Sequence, residues 1–449
     1  MRSVRWLWSL PLLAAAFLLA NNVPYPSVSS QVLVPHVGPV SAHSAAGGEF
    51  VPGELLVKAS LPLPPAAVAA VLGLAGGAVI EHDPTLDLYR LRLPEELGVE
   101  QASALYSTLP WVEYAEPNYI VRAAIVPDDL FYEARQAWYY DAINAPAGWD
   151  VEMGKPGIIV AVLDTGVDLR HPDLASKIWT NARDIVGNDI DDDKNGCIDD
   201  LRGCNFVPIP PSSDPSDDHG HGTMVAGILG AKSNNGQGVV GTAWGATILP
   251  VKVLDSTGAG TASDVAQGIV YAAKNGVHII NLSMARPSPS RALEEAVREA
   301  HDVFGVIMVG ASGNEGVEGV GYPAAYPGVI AVSAFDHSDP NSRAPFSNWG
   351  PEVDVAAPGV DVFSTHLDGG YAIGEGTSFA TAFVSGLVAL LLSQDPTRSD
   401  DDIRALLRMS SDDLPDGATP NWDGWGRLNM GEALNTQVYR SVVPGVVKD

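Results

Sequence analysis

From residue 126 onward the chain sets short apolar runs between amphipathic segments. The runs are 158–163, 247–253, 277–282, 305–309 and 329–332, while 263–274 and 291–300 carry helical periodicity with Ser, Asp or Glu near their starts. A strand without a polar face must be covered on both sides. Parallel neighbours also need a long crossover, usually a helix. The pattern therefore predicts an α/β fold, a doubly wound and mostly parallel sheet, over a domain spanning 126–435. In such sheets chemistry collects at the carboxyl ends of strands, so the residues that follow each run are the ones to read. The sequence has no internal repeat.

Residues 50–125 read differently. Segments 54–58 and 87–93 alternate, with Leu and Tyr opposite the arginines, as half-buried strands do. An Ala/Val-rich stretch and 100–107 are helical, and 111–115 closes as a strand, which makes a small α+β domain of about 70 residues. Ahead of it, 21–49 is rich in Ser, Val, Pro and Ala and reads as a linker. Residues 1–20 place Arg2 and Arg5 before about 15 uncharged residues, the pattern of a secretory signal. That stretch contains a proline and is short for a span, so export without a stable membrane anchor is expected. Residues 436–449 are expected as a tail.

Charge narrows the partners. With 26 Lys+Arg against 54 Asp+Glu the net charge is −28, which excludes a sequence-independent nucleic-acid binder. Two cysteines rule out a disulfide-dense scaffold and a four-cysteine zinc site.

Three segments carry candidate chemistry. The first apolar run ends in Asp164-Thr165-Gly166, which puts a carboxylate at the carboxyl edge of the sheet. His219-Gly220-His221-Gly222-Thr223 opens an apolar stretch, so His221 is expected at a helix start. Gly376-Thr377-Ser378 introduces the apolar stretch 382–392. Each has a plain alternative: a turn-capping Asp, a metal-binding His pair, an N-cap Ser. Together they point elsewhere. A serine hydroxyl is a poor nucleophile unless a base takes its proton, His supplies that base near neutrality, and a buried carboxylate fixes the imidazole tautomer.

The segments around Asp164, His221 and Ser378, in that order, resemble the three signatures of the subtilisin-like serine proteases, or subtilases. The resemblance runs from residue 50 to about 434. It includes Val51-Pro52-Gly53-Glu54 and Tyr114-Ala115-Glu116-Pro117-Asn118-Tyr119, which are similar to the family's inhibitory propeptide. Gln136-Ala137-Trp138 and Ile143-Asn144-Ala145-Pro146-Ala147-Gly148-Trp149 are similar to its thermitase-like branch. The resemblance implies a secreted serine endopeptidase made as a self-processing zymogen and acting on polypeptides, with its own propeptide as inhibitor. A monomer is expected. Asp164, His221 and Ser378 would be the triad, and Asn314 the oxyanion-hole side chain. Gly258, Ala259 and Gly260 match one substrate-pairing segment, and Ser283, Met284 and Ala285 the opposite one. Gly321 and Glu315 match the floor and rim of the primary specificity pocket. The sequence departs from the usual signature at Met224, at Ala285-Arg286, and at Phe379, Thr381, Ala382 and Phe383. A peptide-binding pseudoprotease and an esterase stand as alternatives. The sequon Asn281-Leu282-Ser283 reads as a buried strand end.

Calcium (Ca2+) is expected as a structural cofactor. Asp191, Asp193, Asn195, the Cys197 carbonyl and Asp199 follow the first positions of a calcium loop around Gly196. Arg202 stands where an EF-hand would carry its bidentate Glu, so Asp200 is a substitute candidate; a solvated acidic loop is the alternative. The resemblance implies a second site from Asp129, Asp173 and Asn235. In an exported chain Cys197 and Cys204 are expected as a disulfide.

Overall fold

A computed structural model describes residues 50–59, 64–73, 76–120, 125–413 and 422–438. The expected signal, linker and most of the tail lie outside the described residues. The chain divides into two compact units, 1–122 and 123–449.

In the first unit β1 (Phe50–Ala59), α1 (Pro65–Gly73), β2 (Ala78–Asp83), β3 (Leu88–Arg92), α2 (Val99–Ser107) and β4 (Val112–Tyr119) build an antiparallel sheet ordered β2-β3-β1-β4. Leu55 and Val57 of β1 face Leu91 and Tyr89 of β3 across the ladder and are buried with them, while Arg90 turns outward to Glu81 at 3.0 Å. Alternation thus does here what a period of two requires. Tyr106 ties the layers together: its hydroxyl donates to the Leu72 carbonyl and accepts from the Gly77 N–H, both at 2.9 Å.

The second unit holds a seven-stranded parallel sheet. Its strands are β5 (Ile159–Asp164), β6 (Cys204–Asn205), β7 (Thr247–Lys252), β8 (Ile279–Leu282), β9 (Ile307–Ala311), β10 (Val329–Phe335) and β11 (Val355–Pro358), in the order β11-β10-β9-β8-β5-β7-β6. In β5, Val160 and Val162 belong to one hydrophobic core and Ala161 and Leu163 to another, so both faces are buried. Helices α3 (His221–Gly230), α4 (Ala262–Lys274) and α5 (Arg291–Arg298) are joined by α6 (Thr377–Gln394). The hairpin β12 (Val362–His366) and β13 (Gly370–Gly374) precedes α6. α6 has the length and apolar character of a membrane span, yet Thr377 through Ser393 are buried, which makes it a core helix.

The fold class is α/β with a doubly wound parallel sheet, as the apolar runs predict. The details differ at the ends. The run 277–282 forms a strand only from Ile279, and 329–332 extends to Phe335. The helix predicted to reach 300 is regular to Arg298 and then widens into a π turn over Glu299–Val303. β7 and β8 flank β5 on opposite sides, so the strand order reverses at β5, where open α/β sheets place their ligand crevice.

Candidate active site

Asp164 is the last residue of β5 and is fully buried. Its Oδ1 accepts from the Thr165 N–H at 2.7 Å and lies 2.7 Å from His221 Nδ1. A carboxylate only accepts, which fixes the neutral imidazole with its proton on Nδ1 and leaves Nε2 free as a base. His221 is the first residue of α3, and glycines let it approach. Gly220 has φ +103°, and a side chain there would start 2.5 Å from His366 Nε2; one on Gly222 would start 2.1 Å from the Gly166 carbonyl. Burial pulls the His221 pKa down. The charge and hydrogen bond of Asp164, with the charge of Asp217, outweigh it and hold the imidazole above its ordinary 6.5.

Ser378 is the second residue of α6, whose N-cap is Gly376 at φ +148°; the serine is therefore not the cap. Its hydroxyl donates to the Ser283 carbonyl at 2.9 Å, and its own carbonyl accepts from Ser283 Oγ at 2.8 Å. Asn314 follows β9. Its Oδ1 accepts from both the N–H and the hydroxyl of Thr377 at 2.9 Å, which orients the amide, and its Nδ2 lies 3.3 Å from where a Gly376 side chain would begin.

His221, Asn314 and Ser378 line one cleft of about 360 Å3 with Gly258, Ser283, Met284, Ala285 and Glu315. Ala259 and Gly260 are not among its lining residues. Ala259 closes a turn by accepting from the Asp255 N–H, and Gly260 packs so tightly that a side chain would start 2.1 Å from the Val253 carbonyl. Gly321 lies behind Ala285, whose Cβ would be 2.9 Å from a side chain there. Glu315 Oε2 accepts from Asn348 Nδ2 at 2.7 Å. Phe379, a departure from the usual signature, places its ring 5.6 Å from that of His221.

The acidic residues form two groups. Asp129 Oδ2 accepts from the Asn234 N–H at 2.7 Å, and Asp173 Oδ2 from the Val239 N–H at 3.0 Å and the Tyr371 hydroxyl at 2.9 Å. The Oδ1 of each is buried without a hydrogen-bond partner among the described residues. Burial, with the charges of Asp128 and Asp173 adding to it, pushes the Asp129 carboxyl up to about 6. The Asn235 side chain closes its own loop, accepting from the Gln237 N–H and donating to the Lys232 carbonyl.

In the second group, carboxylate oxygens of Asp184, Asp191 and Asp193 lie within 4.8 Å of one another. Sequence reasoning misses Asp184, because it sits outside the dense acidic run. Asp199 turns elsewhere and accepts from the N–H groups of Gly187, Asn188 and Asp189. Asp200 is buried, accepting from Asn181, Asn195 and Tyr271, and burial pushes it up to about 6. Asn195 Oδ1 accepts from the Cys197 N–H. Cys197 and Cys204 are joined, with 6.3 Å between their Cα atoms. Asp217, four residues before His221, is a further residue without a sequence signal: its carboxylate meets five donors, yet an Asp in the Ser-Asp-Asp-His-Gly stretch 216–220 reads as a turn residue.

Residues 155–426 match the Subtilase family and residues 38–118 the Fervidolysin N-terminal prodomain. The chain is 38% identical over 391 residues to the Thermophilic serine proteinase of Bacillus sp. (strain AK1), covering 86% of this chain and 88% of that one. It is 39% identical over 308 residues to Thermitase of Thermoactinomyces vulgaris, covering 69% and 99%. Among solved structures, a protease from Pseudoalteromonas arctica PAMC 21717 superposes with a TM-score of 0.59 at 28% identity, covering 69% of this chain and 99% of that one.

Proposed function

Because this chain belongs to the subtilase family and is a subtilisin-like serine endopeptidase with a prodomain, we propose that Asp164, His221 and Ser378 are its triad and Asn314 its oxyanion-hole side chain. The observation that carries this reading is the 2.7 Å contact between Asp164 Oδ1 and His221 Nδ1. Ser378 Oγ leaves the Ser283 carbonyl by rotation about χ1 and gives its proton to His221 Nε2 as it attacks the scissile carbonyl carbon. The tetrahedral oxyanion accepts from Asn314 Nδ2 and the Ser378 N–H at the start of α6. His221 then hands the proton to the leaving amine as the C–N bond breaks. A water molecule repeats the sequence to release the acid and restore the serine.

The substrate lies extended between 258–260 and 283–285, gaining affinity from main-chain hydrogen bonds. The glycine at 321 and the side chain of Glu315 suit a primary pocket of broad or hydrophobic preference.

Calcium fits the acidic groups. Hard cations take carboxylate oxygens, and the buried Oδ1 atoms of Asp129 and Asp173 hold lone pairs that no hydrogen-bond donor among the described residues satisfies. Asp184, Asp191 and Asp193 are a second set. The ion would be structural, holding loops in place. The chain is read as an exported monomer with residues 50–125 as inhibitory propeptide and 126–435 as peptidase. Self-cleavage is placed between Arg122 and Asp128, of which 122–124 lie outside the described residues.

The test is the intact mass of the secreted wild type and of Ser378→Ala made with calcium. Loss of the segment up to about residues 122–128 by the wild type alone supports the reading. Processing of both would assign the cut to another protease, and processing of neither would overturn it.

A further inference from the structure

The carboxylate of Asp217 sits at the meeting point of the two chain segments that bear Asp164 and His221. Oδ1 accepts from the Thr165 hydroxyl at 2.8 Å and from the N–H groups of His219 and Gly220 at 2.9 Å. Oδ2 accepts from the Thr223 N–H at 2.9 Å and the Thr223 hydroxyl at 2.6 Å. The donors belong to the residue after Asp164 and to residues two before, one before and two after His221. Thr165 Oγ1 in turn accepts from the Gly222 N–H at 3.0 Å, and Thr223 Oγ1 from the Asp168 N–H at 2.9 Å. One side chain thus stitches the end of β5 to the first turn of α3. Besides Asp164 itself, it is the anion whose charge raises the pKa of the His221 imidazole.

We propose that Asp217 is a positioning residue of the catalytic base: it fixes the register between the Asp164 loop and the His221 helix start, and it supplies a second negative charge to the imidazole. The inference rests on the triad reading above. The geometry gives the first part. The carboxylate holds the turn on both sides of His221 through the N–H groups of 219, 220 and 223, and the Thr165 hydroxyl, donating to Asp217 and accepting from the Gly222 N–H, ties that turn to the residue after Asp164. Charge gives the second, since an imidazolium formed during attack is stabilised by each nearby anion.

Other titratable groups lie around this turn. Asp164 is in direct contact with the His221 ring; His219 lies beside it with ring centroids 6.4 Å apart. His366 packs behind Gly220. Lys252 is buried, donating to the Thr165 and Leu254 carbonyls and pairing with Asp218 at 2.7 Å. Lys252 is paired with Asp218, while Asp217 accepts hydrogen bonds from neutral donors, the Thr165 and Thr223 hydroxyls and the N–H groups of 219, 220 and 223.

The experiment measures kcat and KM of the processed enzyme against pH on a chromogenic peptide, for wild type, Asp217→Asn and Thr165→Val, each corrected for titrated active sites, with secreted Ser378→Ala assayed per mole of protein beside them. Asp217→Asn keeps the size and removes the charge. It is expected to lower kcat about tenfold or more with KM within about threefold, and to move the acid limb of kcat/KM down by about half a pH unit. Thr165→Val keeps the charge and cuts the stitch, so kcat falls about threefold or more while the limb stays in place. An acid limb that Asp217→Asn leaves at the wild-type pH overturns the proposal. Should that variant not mature, a Thr165→Val enzyme with wild-type kcat overturns it as well. Ser378→Ala tests the triad separately: if it stays active, the reading beneath the proposal fails whatever Asp217 does.

Discussion

Ser283 and Ser378 hold each other in a reciprocal pair, the Ser378 hydroxyl donating to the Ser283 carbonyl at 2.9 Å and the Ser283 hydroxyl to the Ser378 carbonyl at 2.8 Å. The pair locks the first turn of α6 to the end of β8. It is backed by Asn281, whose Nδ2 donates to Ser283 Oγ and whose Oδ1 accepts from Ser385 Oγ, both at 2.8 Å. The sequon at 281–283 is accordingly a buried polar relay, with Asn281 fully enclosed.

Ser283→Ala removes one member of that relay and strands the Asn281 amide. Leaving a buried donor unsatisfied costs about 1–3 kcal/mol, so the midpoint of thermal unfolding falls. Displacement of Ser378, the proposed nucleophile, is expected to lower kcat about five- to thirtyfold with little change in KM. Steady-state kinetics beside calorimetry check this; a wild-type kcat in a less stable protein would show that the hydroxyl supports the fold alone.

The acid limb of kcat/KM should lie above 6.5, the ordinary imidazole value. The sign follows from the chemistry: on the triad reading His221 is the base, and it can take a proton only when neutral. Burial lowers its pKa, but Asp164 and Asp217 together raise it by more, so the neutral form disappears at a higher pH than for a free imidazole. A limb centred clearly below about 6.5 would mean that burial, not the two carboxylates, dominates at the imidazole.

Chelation should destabilise the protein, and the two acidic groups should report separately. With calcium at about a hundred times its Kd, each site contributes about 2.7 kcal/mol to the folded state. Asp129→Ala with Asp173→Ala should abolish one calorimetric binding event, and Asp191→Ala with Asp193→Ala the other. Titration of the wild type that shows no calcium heat, and a melting curve indifferent to chelator, would remove calcium from the account.

How much of the molecule is legible in its sequence follows from how strongly each element is specified. β5, α3 and α6 are readable because a doubly buried strand and long apolar helices leave unambiguous patterns, and Asp164, His221 and Ser378 sit at their ends. β11 is not, since Val-Ala-Ala-Pro is four residues long and its strand identity comes from pairing with β10. The hairpin β12–β13 escapes for a related reason: much of it is only half-buried, so its alternation is weak. In the acidic loop composition is clear and partnership is not. Asp184, and not Asp199, lies with Asp191 and Asp193, because backbone N–H groups, invisible in a sequence, claim Asp199. Asp217 stays hidden because four of its donors are turn and helix-start groups of its own segment, as around any turn Asp, and the one that ties it to the Asp164 strand, the Thr165 hydroxyl, comes from 52 residues away.

The Cys197–Cys204 bond supports the acidic loop rather than the catalytic groups, and its removal should separate the two. It closes a loop with a sequence separation of 7, and both cysteines are buried, Cys204 within β6 itself, in the core that includes Leu249 and Val251 of β7. By loop-closure entropy such a short ring contributes roughly 2.5 kcal/mol. The double variant Cys197→Ser with Cys204→Ser adds the cost of two buried hydroxyls, so its loss of stability should equal or exceed that figure. Asn195 Oδ1 accepts from the Cys197 N–H while Asn195 Nδ2 donates to Asp200, so loosening the ring also loosens the Asp200 network and the neighbouring Asp191 and Asp193. Calcium affinity of that loop should drop in the variant while the Asp129–Asp173 group keeps its own. At a temperature well below unfolding, kcat should stay within about twofold of wild type, because none of the bonds that fix Asp164, His221, Ser378 or Asn314 passes through the loop. Melting curves with and without reductant, calcium titration and kinetics on one preparation decide the matter. A large fall in kcat at unchanged foldedness would mean that the loop reaches the active site by a route the hydrogen bonds do not show.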